Sequence, residues 1–197
     1  VISKEGVLKA NFTPSEVGNW QISTLCEGEH LSGSPYTVKV FDPSLVRITD
    51  LHGGKVGHEL SFHADASTAG EGEVTCEVFH GNSKVHCYLT KNDQGKYKVD
   101  FTPQGSGTYT VHAYMNKVEV KGSPYTVDIV DSSRVTVTGD GLSLVHVNTP
   151  AVFNIHTNGA GEGKVDVQII APSGKLIPSK LTEIVDGQYR VDYVLKE

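Results

Sequence analysis

The sequence predicts an all-β protein built of tandem β-sandwich repeats, one complete and two partial. Three observations carry this. Apolar and polar residues alternate with a period of two almost everywhere, and each short run is bounded by Gly, Pro, Asn, Asp or Ser. A set of motifs then recurs in the same order, about 90 residues apart.

The alternation is clearest in the middle of the chain. Leu60, Phe62 and Ala64 form one apolar row, and Val74, Cys76 and Val78 a second. Tyr97, Val99 and Phe101 follow, then Tyr109, Val111, Ala113 and Met115. In a strand, residues i and i+2 share a face, so each row marks a half-buried strand. No long window combines helical spacing with helix-start and helix-stop signals.

The repetition sets the scale. Phe12-Thr-Pro14 recurs as Phe101-Thr-Pro103, and Gly33-Ser-Pro-Tyr36 as Gly122-Ser-Pro-Tyr125, both 89 residues later. Ala69-Gly-Glu-Gly72 recurs as Ala160-Gly-Glu-Gly163, and Tyr97-Lys-Val-Asp-Phe101 as Tyr189-Arg-Val-Asp-Tyr193, 91 and 92 residues later. Such a period is too long for a solenoid unit and suits one sandwich per repeat.

One complete unit then spans residues 44–131, with strands A 45–51, B 58–66, C 73–80, D 84–90, E 96–102, F 107–116 and G 117–130. Seven strands suit a constant-type immunoglobulin-like sandwich. Residues 1–43 hold strands E to G of a preceding repeat, and residues 132–197 strands A to E of a further one. Half a sandwich cannot bury its sheet face alone, so the chain reads as a window on a longer array. The joints Asp42-Pro43-Ser44 and Asp131-Ser132-Ser133 are short, which makes the array semi-rigid.

Composition excludes several classes. The chain has 197 residues, 38% hydrophobic and 20% charged, enough apolar material for a packed core. Net charge is −6, with no basic stripe, which argues against nucleic-acid binding. No apolar run reaches the length of about 18 residues that spans a bilayer, and the first 20 residues contain no signal-peptide core. The three cysteines, Cys26, Cys76 and Cys87, are too few and odd in number for a disulfide framework, so a reduced cytosolic setting is expected. Cys76 shares the inward phase of Val74 and Val78, and Cys26 occupies the place of Met115, so both read as small core residues. Cys87 falls on edge strand D, apart from Cys76, and no disulfide is expected between them.

Catalytic and cofactor chemistry find no support. Gly159-Ala-Gly-Glu-Gly163-Lys164 lacks the spacing and the Ser or Thr of a phosphate loop and reads as a B–C turn. Among nine histidines, His80 and His86 flank the C–D turn, while His63 and His112 fall on outward phases. None has metal-ligand spacing, and no base and orienter are placed beside a cysteine. Asn11-Phe12-Thr13 matches the glycosylation triplet but sits in a segment that reads as a strand. No enzyme activity and no cofactor are expected.

The immunoglobulin hallmark is also absent. Strands B and F of the complete unit carry no Cys, and strand C no Trp. Instead, Gly-x-aromatic opens strand F twice, as Gly18-Asn-Trp20 and Gly107-Thr-Tyr109. With Ala-Gly-Glu-Gly at 69–72, Gly-x-Tyr-x-Val-x-Phe-Thr-Pro at 95–103 and Val-x-Gly-Ser-Pro-Tyr-x-Val at 120–127, the chain resembles the filamin-type immunoglobulin repeat over its whole length. Trp20 departs from the usual corner tyrosine.

The resemblance implies a cytoplasmic rod segment of a dimeric actin-crosslinking protein, with actin bound through another part of the parent. It implies no direct membrane insertion, and as partners cytoplasmic tails of adhesion receptors or adaptor peptides. These would add a strand at the C–D edge. Carried over, the docking residues are Glu73, Val74, Thr75, Cys76, Glu77, Val78 and Phe79 on C, with Val85, Cys87 and Leu89 on D. Strand C would supply backbone pairing, and Cys87 and Leu89 an apolar floor. In the third repeat, Pro178 interrupts the same floor, which favours the complete unit as the site. Two alternatives stand beside this. One is a substrate-recognition domain of a tripartite-motif ubiquitin ligase. The other is an extracellular adhesion array, which would call for acidic calcium motifs or B–F cystines.

Overall fold

The structure, a computed structural model, describes residues 2–4 and 7–196. Strands β1 (Ile2–Lys4) and β2 (Val7–Lys9) pair antiparallel. Then come β3 (Gly18–Ile22), β4 (Leu25–Cys26), β5 (Glu29–His30) and β6 (Tyr36–Val40). β3 pairs antiparallel with β6, and β4 with β5. Cys26 is exposed, not a core residue, because no second sheet among the described residues faces this pair.

A 3-10 turn, Pro43–Leu45, leads into the middle unit, and its counterpart Ser132–Arg134 leads out. Each begins at an aspartate. The Ser44 N–H donates to Asp42 Oδ1 at 2.9 Å, and the Ser133 N–H to Asp131 Oδ1 at 3.1 Å. The bonds from Ser44 and Ser133 hold both carboxyls below their ordinary range.

Ten strands build the middle sandwich. They are β7 (Arg47–Thr49), β8 (Gly54–Lys55), β9 (Leu60–Asp65), β10 (Val74–His80), β11 (Ser83–Val85), β12 (Cys87–Lys91), β13 (Lys96–Phe101), β14 (Gly107–Met115), β15 (Val118–Glu119) and β16 (Tyr125–Val130). One sheet has the order β11-β10-β14-β16-β8, with β15 beside β14. The other runs β12-β13-β9-β7. The alternating rows face each other between the sheets. Phe62, Val78, Val99, Phe101, Tyr109 and Val111 are each at most 2% exposed. Ala64, Val74, Tyr97, Ala113 and Met115 extend the core toward the other end.

Three strands expected to be continuous are divided. Strand A, expected over 45–51, is confined to β7 on β9, and its continuation β8, beyond the expected end, runs parallel to β16 in the other sheet. Strand D, 84–90, becomes β11 on β10 and β12 on β13. Strand G, 117–130, becomes β15 and β16, separated by the Gly122-Ser-Pro124 turn. Strands A and D change sheets, and a strand that does so must leave one ladder before it joins the other. Both halves of G stay beside β14, and only the intervening turn divides them. The period-two pattern does not reveal this, because both halves keep one face inward.

The third unit holds β17 (Thr136–Thr138), β18 (Pro150–His156), β19 (Ile169–Ile170), β20 (Leu176–Ile177), β21 (Ser179–Val185) and β22 (Gln188–Val194). Its main sheet is β17-β18-β22-β21, and β19 pairs with β20. Pro178 lies between β20 and β21, as His86 lies between β11 and β12. Proline thus stands where the chain crosses between sheets and no ladder N–H is needed.

The recurring motifs fold alike. The Tyr109 hydroxyl donates to Gly105 O at 2.9 Å, and the Trp20 indole N–H to Glu16 O at 3.0 Å, again four residues back. The tryptophan therefore keeps the corner contact with a different donor. Tyr36 and Tyr125 donate to Ser32 O and Lys121 O at 3.0 and 2.9 Å. Ser34 and Ser123 each accept a backbone N–H from the neighbouring strand region, at 2.8 and 3.1 Å. Among the described residues, no helix is long and apolar enough to cross a membrane.

Candidate peptide-docking edge

The direction of each backbone group on β10 follows from its ladder with β14. Glu73 O accepts the Asn116 N–H at 2.9 Å, which turns residue 73 toward β14. Ala113, directly opposite Cys76, spends its own groups elsewhere. Its carbonyl accepts the Val120 N–H at 2.9 Å and its N–H donates to Ser123 Oγ at 3.1 Å. Antiparallel pairs alternate between bonded and non-bonded, so Thr75, Glu77 and Phe79 bond β14. Val74, Cys76, Val78 and His80 turn their N–H and C=O groups to the outer edge.

That edge is only partly open, contrary to the expectation of a free strand over residues 73–79. The turn at Gly81, with φ of 58°, folds β11 back so that Val85 pairs with Val78 and Ser83 with His80. Val85 therefore belongs to the β10 sheet rather than to the opposite one. Cys87 fills the next position. Its thiol donates to Cys76 O at 3.5 Å, within the range for a sulfur donor. Burial pushes the Cys87 thiol up, against the pull of Lys84 and of the Val78 N–H. Cys87 thus meets the backbone of β10 directly as well as lining the groove. The open stretch is Val74 to Glu77.

Beside it, β12 presents its inward row. Cys87, Leu89 and Lys91 stand opposite Phe101, Val99 and Tyr97, which are buried, so they lean toward the space between the sheets. Leu89 remains 37% exposed, and Lys91 Nζ sits 5.4 Å over the Tyr97 ring. His86 and Tyr88 pack edge-on at 4.5 Å, with Tyr88 66% exposed at the rim of a cavity under β11. On β10, Val74 and Val78 are buried and Cys76 is half-buried.

The other end of the groove holds a feature that periodicity does not reveal. A cavity of about 590 Å³ lies under β11, lined by His80, Val85, Tyr88, Phe101 and Tyr109 among others. The His80 ring stacks on Tyr109 at 4.4 Å. Glycine makes room for it. A Cβ on Gly105 or Gly107 would approach that imidazole to 3.2 Å. The available signal was a pair of glycines beside an aromatic corner, and its partner histidine is remote in sequence.

All three cysteines are free thiols. Desolvation pushes the Cys76 thiol up to about 12, which suppresses its nucleophilic thiolate. Alkylation followed by peptide mass analysis is therefore expected to label exposed Cys26 first, Cys87 more slowly and Cys76 last. Equal rates at Cys26 and Cys76 would show that the edge opens freely. Among the described residues, no group of three or more His, Cys, Asp or Glu side chains is gathered for a metal ion.

Comparison with known proteins places this arrangement. The family model "Filamin/ABP280 repeat" matches residues 40–126 and 129–197. Filamin-C of Mus musculus is 31% identical over 98% of this chain, which spans 8% of that relative's length. The E3 ubiquitin-protein ligase TRIM45 of Bos taurus is 30% identical over 61% of this chain, covering 22% of the ligase. Among solved structures, the Escherichia coli adhesin FdeC aligns at a TM-score of 0.51, with 14% identity, over 91% of this chain and 66% of that one. That last likeness concerns the fold alone.

Proposed function

Since the chain belongs to the filamin repeat family, and so is made of protein-interaction domains of that type, we propose that it is a rod segment of an actin-crosslinking scaffold. In this reading it acts as spacer and as docking surface. Residues 44–131 form one repeat, and residues 1–43 and 132–197 belong to its neighbours. The whole protein works in the cytoplasm, and the segment bears load in series with the rest of the rod. Cytoplasmic tails of adhesion receptors, or adaptor peptides, dock on the middle unit.

The observation that carries the docking half is the open stretch of β10 beside Leu89. Val74 and Cys76 turn their ladder groups to the outer edge there, where only the weak thiol bond to Cys76 O competes, and an exposed strand edge recruits an extended peptide by backbone pairing. Alternate side chains of the peptide lie over Cys87 and Leu89. A longer peptide displaces β11, which holds its edge through only three residue pairs.

The ubiquitin-ligase reading is favoured by the similarity to the TRIM45 sequence. That similarity covers 61% of the chain, against 98% for Filamin-C. Tandem repetition across the whole chain supports the rod.

Backbone-amide NMR of the 197-residue chain, titrated with a receptor-tail peptide that binds other filamin repeats, tests the proposal. The expected shifts concentrate at residues 73–79 and 85–89. Shifts confined to the outer face of β9 and β13, or none at saturating peptide, would overturn it.

A further inference from the structure

The Ala-Gly-Glu-Gly motif occurs twice, and its use goes beyond a turn between two strands. At both joints it touches the preceding unit. The Asp42 N–H donates to Ala69 O at 2.9 Å, and the Asp131 N–H to Ala160 O at 2.7 Å. Ala69 and Ala160 are buried, at 0% and 4% exposed. Next to them, Gly70 and Gly161 adopt φ of +93° and +84° and lie flat against the preceding unit's last strand.

The closeness is measurable. A Cβ on Gly70 would stand 2.6 Å from Val40 O and 2.7 Å from Val17 Cγ1. A Cβ on Gly161 would collide with Ile129 O and come within 3.3 Å of Gly107 N. Val40 and Ile129 are equivalent residues, 89 apart, on the last strands β6 and β16. Further contacts differ between the joints. Lys39 forms an ion pair with Glu71 at the first, while Ser106 Oγ donates to Gly159 O at 2.7 Å at the second. The backbone contacts are common to both, and the side-chain contacts are not.

We infer that the Ala-Gly-Glu-Gly loop is an interaction surface whose partner is the end face of the preceding repeat, and that this contact fixes the angle between successive units. The end face consists of the turn before β3 or β14 together with the last strand, β6 or β16. Glycine is required at the second motif position for two reasons, which can be separated. Its positive φ disfavours any side chain, and the neighbouring carbonyl leaves no space for a Cβ. Gly57 and Gly174 provide the controls. They have φ of +77° and +82° and nothing within 4 Å of an added Cβ.

The test compares Gly70→Ala and Gly161→Ala with Gly57→Ala and Gly174→Ala in the 197-residue chain. Nitrogen-15 relaxation reads the tumbling time of each unit, and small-angle scattering reads the overall dimensions. Wild type and both controls are expected to tumble as one body. Gly70→Ala is expected to release the first unit alone, and Gly161→Ala the third alone. Independent tumbling in wild type, or identical behaviour of joint and control variants, would overturn the inference. Should a joint variant unfold, hydrogen exchange in wild type decides. The Asp42 and Asp131 amides are expected to exchange at least about tenfold more slowly than free loop amides, and unprotected exchange would overturn the inference.

Discussion

Phe101→Ala is expected to destabilise the middle sandwich by about 3–5 kcal/mol, the usual range for deleting a buried aromatic side chain. Phe101 is 2% exposed and packs between the sheets at the end of β13, beside the cavity under β11. Its ring meets Phe62 edge-on at 6.5 Å and Tyr109 at 6.2 Å, one from each sheet. On its own sheet it stands between Leu60 of β9 and Cys87 of β12. Truncation leaves a space bounded by residues fixed in ladders and continuous with the cavity under β11, so the neighbours cannot collapse into it. Trp20, the only tryptophan, lies in the first unit, so the titration should follow circular dichroism rather than indole fluorescence. A loss below about 1 kcal/mol would show that the site relaxes or that the packing is loose.

The same residue illustrates what could be read from the chain alone. Period two places Phe101, Val99 and Tyr97 inward, and all three are buried. It places His86 and Tyr88 outward, and Tyr88 is exposed, but both also line the rim of the cavity under β11. The recurrence of Gly-Ser-Pro-Tyr and of the Gly-x-aromatic corner marks equivalent hydrogen bonds, including the one in which Trp20 replaces tyrosine. Alternation reports which face is buried, not which strand is the neighbour. The breaks near Asp50 and at His86 were therefore invisible, and strand D appeared as one edge rather than two half-strands in different sheets. Cys26 failed for a related reason. Its sequence place matches Met115, but burial needs a facing sheet, and burial is a property of the assembly rather than of the position.

The candidate site was legible to the same extent. The strands that carry it, and the face shared by Cys87 and Leu89, follow from spacing. That β11 covers Val78 and His80 depends on a two-residue turn, Gly81-Asn82, whose effect is hydrogen bonding rather than hydropathy. The repeated glycines at the joints were visible as turn formers. Their second role depends on contacts between units, which no periodicity within one unit encodes.

Cys87→Asp is expected to weaken peptide binding at the β10 edge at least about tenfold, or about 1.4 kcal/mol. Cys87 contributes in two ways. Its side chain lies where alternate residues of an added strand would pack, and a contact of some 40–80 Å² contributes roughly 1–2 kcal/mol at about 25 cal/mol per Å². Its thiol also donates to Cys76 O, one of the edge carbonyls a peptide would pair with. A carboxylate in that place cannot donate, is repelled by the carbonyl, and must lose water when a peptide covers it. The fold should survive, because β12 is the outermost strand of its sheet and the side chain is only half-buried. Thr90→Asp is the control. It introduces the same charge on the same strand, out of phase with Cys87 and Leu89 and exposed, so long-range electrostatics largely cancel in the comparison. Its effect on affinity is expected to stay within about twofold, since exposed charges are screened over roughly 10 Å at ordinary salt. Calorimetric titration of one receptor-tail peptide against wild type, Cys87→Asp and Thr90→Asp separates the outcomes. A selective loss at Cys87 supports docking on this edge. Equal affinity in all three moves the peptide elsewhere, and no binding to wild type leaves the middle unit as a spacer held at a fixed angle by its two joints.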